Sequence, residues 1–435
     1  MAVLDRLRSP ATADRLVAWT RWAVTGVTSV ALVATLWLAV VLHAGAVYRT
    51  LRPNGPLCDF CAYYGSALAF RRGVNPYAAD IGTIEREFGM SNDIPPHATD
   101  PPAFILAFEP FTLLSPHVGY WVWAGLNLVT LLWALVVLLG KRSGLSTTAA
   151  LGLAALALLY GPVAWHFYFA QSKFPILLLL VLVARCLRDG DEAAAGLLLA
   201  LASLLRIFPL LLVGYLVLRG RWKALIYCAA GVAIGSVVTT AIFGVHDSLG
   251  FFGASSFLTA RAMQDLDGNA SLAGFISRLF WHLARLGSHG DLWRLAAIAV
   301  ASLGTLALTT MATVACKAES DQDSRSFGLW IVTSVMLFPI AFDYYLVLLI
   351  IPLGFLATAA YQGRASRRAL WMAIAGYLLT RNPGALPFLL DAIGIQTSYF
   401  SFIIYSRFFP LLLEYISAFW LVTDFLPDDA VQVSS

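Results

Sequence analysis

Apolar runs of about twenty residues recur from one end of this 435-residue chain to the other. A helix needs about 20 such residues to cross the roughly 30 Å of hydrocarbon in a bilayer. Only 12% of the residues are charged and 59% are hydrophobic, whereas soluble domains carry about 25% charged residues. The alternating pattern of barrel strands is missing, so backbone polar groups in lipid must be satisfied within helices. The predicted fold is all-α: a polytopic helical bundle in a lipid bilayer, with roughly 10–13 spans counting broken helices. The net charge of +4 needs no nucleic-acid partner, because the basic residues sit in short loops, as topology requires.

Arg6, Arg8, Arg15 and Arg21 place residues 1–21 on the cytoplasmic side. The following span, about Trp22–Val47, is too long for a cleavable signal. Residues 22–423 read as a single transmembrane domain with outer loops at about 49–116 and 245–291, and residues 424–435 as an acidic cytoplasmic tail. Full spans are expected over His117–Leu139, Thr147–Phe169, Phe174–Leu187, Ala224–Phe243, Leu292–Ala315 and Phe400–Val422. The stretch between Pro101-Pro102 and Leu114 is broken by Pro110 and predicts short interfacial helices. The polar loop before it has too little apolar periodicity to form a domain of its own.

Three further units are interrupted: 193–218 at Arg206-Ile207-Phe208-Pro209, 327–361 around Pro339 to Tyr345, and 370–393 at Arg381-Asn382-Pro383. All three break on the side of the long loops. Irregular backbone at membrane depth survives only where it lines a protein cavity. The outer half should therefore hold a cavity with Asp59, Arg206 and Asp343 near its walls. A lone intramembrane arginine such as Arg206 either marks a functional site or snorkels to the interface; Arg206 and Asp343 could also pair with each other.

Asp59, with Phe60, Tyr63 and Tyr64 beside it, suits a shielded general base. It equally suits the cap of an amphipathic helix over Phe60–Phe70, and the roles are compatible. Tyr63 lies one helical turn on and shares its face. Cys58-x-x-Cys61 permits a disulfide or a pair of thiols. The seven histidines are scattered, so no metal set is expected, and Glu85-x-Glu87 and Asp265-x-Asp267 read as solvated. Nucleotide-binding motifs are also missing. An enzyme working outside the membrane would then need its activated donor in lipid form.

Asp59-Phe60-x-x-Tyr63-Tyr64, Gly73-x-x-Pro76-Tyr77, Asp100-Pro101-Pro102-Ala103-Phe104, Gln171, Arg206-x-x-Pro209, Asn269-x-Ser271-Leu272 and Arg278 occur in this order. In this the chain resembles glycosyltransferase family 87 of the GT-C superfamily, over roughly residues 20–360. The resemblance implies a GT-C-type membrane fold and a polyprenyl-phosphate-linked sugar donor. It also implies inverting transfer to an envelope glycolipid or polysaccharide on the outer face of the cytoplasmic membrane, with no cofactor. Mannose is the first sugar expected; arabinofuranose, also used in the family, is the alternative. Asp59 takes the place of the family's base. Arg206 and Arg278 would contact the donor phosphate, since a guanidinium binds phosphate bidentately. Tyr63, Tyr64, Gln171, Lys173, Asn269 and Asp343 would line the substrate pocket. The chain departs from the family's pattern at Asp343-Tyr344-Tyr345, where many members have histidine, and at Asp100, often tyrosine. From a different class, a transporter or flippase also shows broken helices and intramembrane charge.

Overall fold

The computed structural model describes residues 59–88, 98–259, 268–284, 290–316, 320–381 and 406–424. The first expected span, Cys58 and hence any Cys58–Cys61 pairing, Asp265-x-Asp267, the far half of the 370–393 unit and the tail lie outside these residues. Four helices begin the described part: α1 Asp59–Arg71, α2 Ile81–Glu87, α3 Pro102–Phe108 and α4 Pro116–Leu139. Next come α5 Thr147–Leu159, α6 Gly161–Tyr168, α7 Lys173–Asp189, α8 Glu192–Leu205, α9 Leu212–Leu218 and α10 Trp222–Phe243. The last seven are α11 Val245–Thr259, α12 Leu272–Ala284, α13 Gly290–Ala315, α14 Ser320–Leu337, α15 Ile350–Tyr361, α16 Arg367–Arg381 and α17 Phe408–Thr423. Short 3₁₀ segments at Glu109–Leu113, Phe208–Leu211 and Asp343–Leu349 join some of them. Among the described residues there is no strand, and the chain is an all-α, multi-pass membrane bundle.

Among the described residues four helices are long and apolar enough to cross a membrane, or five when α5 and α6 count as one bent span. The stretch read as the single span Thr147–Phe169 is thus two helices, bent by 52°. Tyr160 is extended at the break and Pro162 follows; Pro has no N–H to give the preceding turn. The carbonyl of Leu156, released there, accepts from the Tyr377 hydroxyl of α16 at 2.8 Å, so the bend is satisfied inside the bundle.

Charged contacts gather one end of the bundle. Arg142 beyond α4 pairs with Asp189 at the end of α7, and Arg188 donates to Ser324 of α14. Gln362 after α15 reaches the Ser143 carbonyl. Arg221 contacts both Glu192 at the start of α8 and Asp323 of α14. The start of α8 and the turn that follows α9 therefore meet, and the unit rises and turns back, with Arg206 at its tip. The break in the α14–α15 unit points the same way. Its descending arm, Asp343–Tyr361, is long enough to span, aided by the larger rise of its 3₁₀ turns.

The first long polar segment is more folded than its sequence suggests. α1 is not amphipathic: residues on all its faces are buried. Phe60, Tyr63, Leu68, Phe104, Phe108 and Trp123 share a second apolar core with α2, α3 and the N-terminal part of α4. Its aromatic rings meet mostly edge to face, as with Phe60 on Tyr120 and Tyr63 on Phe104. The expected short helices at Pro101–Leu114 are present as α3 and its 3₁₀ extension. The second polar stretch likewise contains α11 and α12.

Helices α8 and α10 approach closely because small residues line their seam. A Cβ on Gly196 would lie 2.3 Å from the Ala224 carbonyl oxygen, and one on Gly231 would lie 2.7 Å from Ala200. Gly196→Ala should therefore cost about 1–3 kcal/mol, read as a lower midpoint of thermal unfolding in detergent. Gly152→Ala is the control, since a Cβ there meets nothing within 4 Å.

Candidate active site

The site is assembled where three chain reversals meet below the α1–α3 core. The first lies between α6 and α7. Ala170 takes the left-handed conformation, with φ of 50°, a strained choice for a residue with a Cβ. Trp123 Nε1 holds this turn by donating to the Ala170 carbonyl at 2.9 Å. The turn presents Gln171, Ser172 and Lys173, each only 2% exposed.

The second reversal is the tip of the α8–α9 unit. Arg206 is extended, with φ of −150° and ψ of 130°, and its guanidinium enters the pocket. It forms an ion pair with Asp100 and donates to Ser172 Oγ from Nε at 3.0 Å and from Nη2 at 2.6 Å. Nη2 also donates to the Tyr63 hydroxyl at 3.2 Å, and the group lies over the Phe104 ring. Asp100 is oriented by Tyr77, whose hydroxyl donates to the Asp100 carbonyl at 2.8 Å.

The third reversal is the break after α14. Asn269 Oδ1 accepts from the Ala341 amide at 3.0 Å, and Asn269 Nδ2 and Ser271 Oγ both donate to the Pro339 carbonyl. This clamp sets the following 3₁₀ segment, so that Tyr344 and Tyr345 place their rings 4.9 and 4.4 Å from Lys173 Nζ. Lys173 Nζ donates to Gln171 Oε1 at 2.6 Å, and the Tyr63 hydroxyl donates to the same oxygen at 3.0 Å.

Asp59 opens α1, its amide donating to the Phe169 carbonyl at 2.9 Å. Its side chain is half-buried. Removal from water raises its carboxyl pKa to about 7; the Lys173 charge opposes the rise, Asp100 adds to it, and Arg206 opposes it. The site thus brings together two carboxyl groups, Asp59 and Asp100, and two basic side chains, Lys173 and Arg206. A half-buried carboxylate that exchanges its proton near neutrality can act as a base, and a buried lysine held by an amide oxygen and two aromatic rings can receive an anion.

Of the residues singled out from the sequence, Asp59, Tyr63, Gln171, Lys173 and Arg206 come together. The rest serve elsewhere. The Tyr64 hydroxyl donates to the Leu114 carbonyl at 2.9 Å. Arg278 is buried and donates to the Asn269 carbonyl and to Ser406, which ties α12 to the start of α17 and does not direct it at the pocket. Asn269 and Ser271 shape the pocket through backbone. Asp343 faces away, 2.9 Å from Arg407 Nε, so Asp343 and Arg206 have different partners. Asp100, Ser172, Tyr344 and Tyr345 complete the site. The one signal for Asp100 was a carboxylate placed directly before Pro101-Pro102 at the membrane boundary.

Comparison with known proteins defines the class: the chain is a membrane glycosyltransferase. The sequence model of glycosyltransferase family 87 matches residues 99–340, more than half the chain, and the protein belongs to that family. The matched range contains Asp100, the Gln171–Lys173 turn, Arg206 and the Asn269 clamp, and starts after Asp59. A relative in Mycolicibacterium smegmatis is 27% identical over 371 residues, covering 79% of each chain. It is named a polyprenol-phosphate-mannose-dependent α-(1-2)-phosphatidylinositol mannoside mannosyltransferase. Family membership sets the transporter reading aside.

The buried Arg206–Asp100 pair yields a direct expectation. Asp100→Asn leaves the guanidinium without its carboxylate and should cost about 3–5 kcal/mol, seen as a fall in the thermal unfolding midpoint. Asp100→Asn with Arg206→Met should recover part of that loss; equal midpoints for the single and double variants would deny the pairing.

Proposed function

We propose that the protein transfers a mannosyl residue from a polyprenyl-phosphate donor to a hydroxyl of an envelope glycolipid, with inversion, on the outer face of the cytoplasmic membrane. The relative's printed activity supports the donor, the sugar and the lipid nature of the acceptor. The side is supported by the basic end of the bundle, where Lys141, Arg142, Arg185, Arg188, Arg219 and Arg221 gather and which the positive-inside rule assigns to the cytoplasm. The pocket lies at the other end.

One observation carries the reading: Lys173 and Asp59 share the pocket. Lys173 sits at the first residue of α7, where the helix dipole disfavours a cation. Among the described residues no carboxylate lies within ion-pair distance of its ammonium. A donor phosphate resolves both conditions, and aromatic faces with an amide oxygen hold the ammonium until it arrives.

In the reaction, Asp59 takes the proton of the acceptor hydroxyl, whose oxygen attacks the anomeric carbon. The bond from that carbon to the phosphate oxygen breaks, and the electron pair leaves with polyprenyl phosphate. Lys173 meets the charge that grows on the phosphate, a preorganised electrostatic role. Arg206, with its donors engaged by Asp100, Ser172 and Tyr63, fixes the wall against which the sugar lies.

Transfer of radiolabelled mannose from polyprenyl-phosphate mannose to membrane glycolipids tests this. Asp59→Asn should lower kcat by about 10²–10⁴-fold at unchanged protein level; full activity would sink the base assignment. The base form of Asp59 exists only above its titration, so kcat/KM should rise with pH through about 7 and then level off. That acid limb should be gone in Asp59→Asn.

A further inference from the structure

His166 takes no part in the scheme above, yet it is fully buried one turn before the site. Its Nε2 accepts two backbone hydrogen bonds, from the Lys173 amide at 2.9 Å and from the Phe174 amide at 3.2 Å. An imidazole nitrogen that accepts carries no proton, so the ring is the neutral Nδ1–H tautomer. It stacks on Phe174 with centroids 3.6 Å apart, and its own carbonyl accepts from the Gln171 amide at 3.0 Å. The first N–H groups of a helix have no partner within it. Here the first two helical residues give theirs to His166, and the third is Pro175, which has none. Ser172, the residue before the helix, does not cap it, because its hydroxyl accepts from Arg206.

We infer that His166 is a positioning residue for the transfer: by capping α7 with one nitrogen it fixes the Gln171–Ser172–Lys173 turn and so sets where the Lys173 side chain, bound to Gln171, enters the site that Asp59 opens. The inference rests on the functional reading above. Capping by the ring also occupies the two N–H groups that would otherwise compete for an anion at this helix end, which leaves the phosphate to Lys173. The turn needs an external support because Ala170 is in a conformation it does not favour by itself.

The test reads the acid limb of kcat/KM with polyprenyl-phosphate mannose as donor. The charged and titratable groups facing Asp59 are Lys173, Asp100, Arg206, Tyr63, Tyr344 and Tyr345. Of these, Lys173 is the one His166 holds. In His166→Ala the limb should move to higher pH by about one unit, the size of a displaced opposite charge, and the donor KM should rise. Lys173→Met should move the limb the same way, and adding His166→Ala to Lys173→Met should move it no further. His166→Gln, whose carbonyl oxygen reaches about as far as Nε2, should keep the wild-type limb; His166→Asn, one methylene shorter, should not. An unmoved limb and donor KM in His166→Ala, even with lower thermal stability, would reduce His166 to a structural cap and overturn the inference. Should the alanine variant fail to accumulate, identical limbs in the Gln and Asn variants would overturn it equally. Loss of the limb from the wild type itself would refute the base assignment and this inference together; a wild-type limb indifferent to His166 refutes this inference alone.

Discussion

Four charged side chains share one pocket, and a medium of low dielectric does not tolerate an unbalanced charge. Asp59 and Asp100 offset Lys173 and Arg206, and most of the surrounding architecture serves that balance. Tyr77 orients Asp100, Ser172 and Tyr63 take three further guanidinium donors, and Gln171 with two tyrosine rings holds the Lys173 side chain. Arg206 is the best-anchored member of the set, and its neighbours are arranged around it. Lys173 is held more weakly, by neutral groups, which is the condition expected of the cation that must exchange partners when an anionic substrate enters.

The helix breaks are the means by which a membrane bundle brings these groups to one place. A continuous helix keeps its backbone polar groups internal and projects side chains sideways, toward lipid or a neighbouring helix. A broken one exposes backbone that has to be satisfied locally. Tyr377 on the Leu156 carbonyl, Trp123 on the Ala170 carbonyl, His166 on the α7 amides and Asn269 on the 339–341 segment each do this for one break. Several of these supports are polar residues that look functional in a sequence. Their role is to shape the pocket, and they act on it through backbone.

The distribution of labour also explains which residues were legible beforehand. Asp59, Arg206, Gln171 and Lys173 stood out because a charge or an amide next to a helix break in an apolar chain is costly unless used. Arg278 and Asp343 stood out for the same reason, yet Ser406 and Arg407, far away in the chain, are where they connect. Asp100 was noted as a departure from the family's pattern but given no site role, because it sits in a polar loop, where a carboxylate ordinarily costs nothing. Only the folding of that loop against Arg206, at the tip of the α8–α9 unit, buries it. α1 was read as half-exposed since a loop sequence gave no hint that α3 and α4 would cover its other face.

The amino-acid sequence alone determined that this is a helical membrane protein, where most of its helices lie and where several of them break, because hydrophobic length and proline act locally. Tertiary structure alone decided which charge meets which, since ion pairing between Asp100 and Arg206, or Asp343 and Arg407, depends on distances between segments scores of residues apart. It also decided that the first long polar loop would have a core, because burial is a property of what packs against a residue and not of the residue itself.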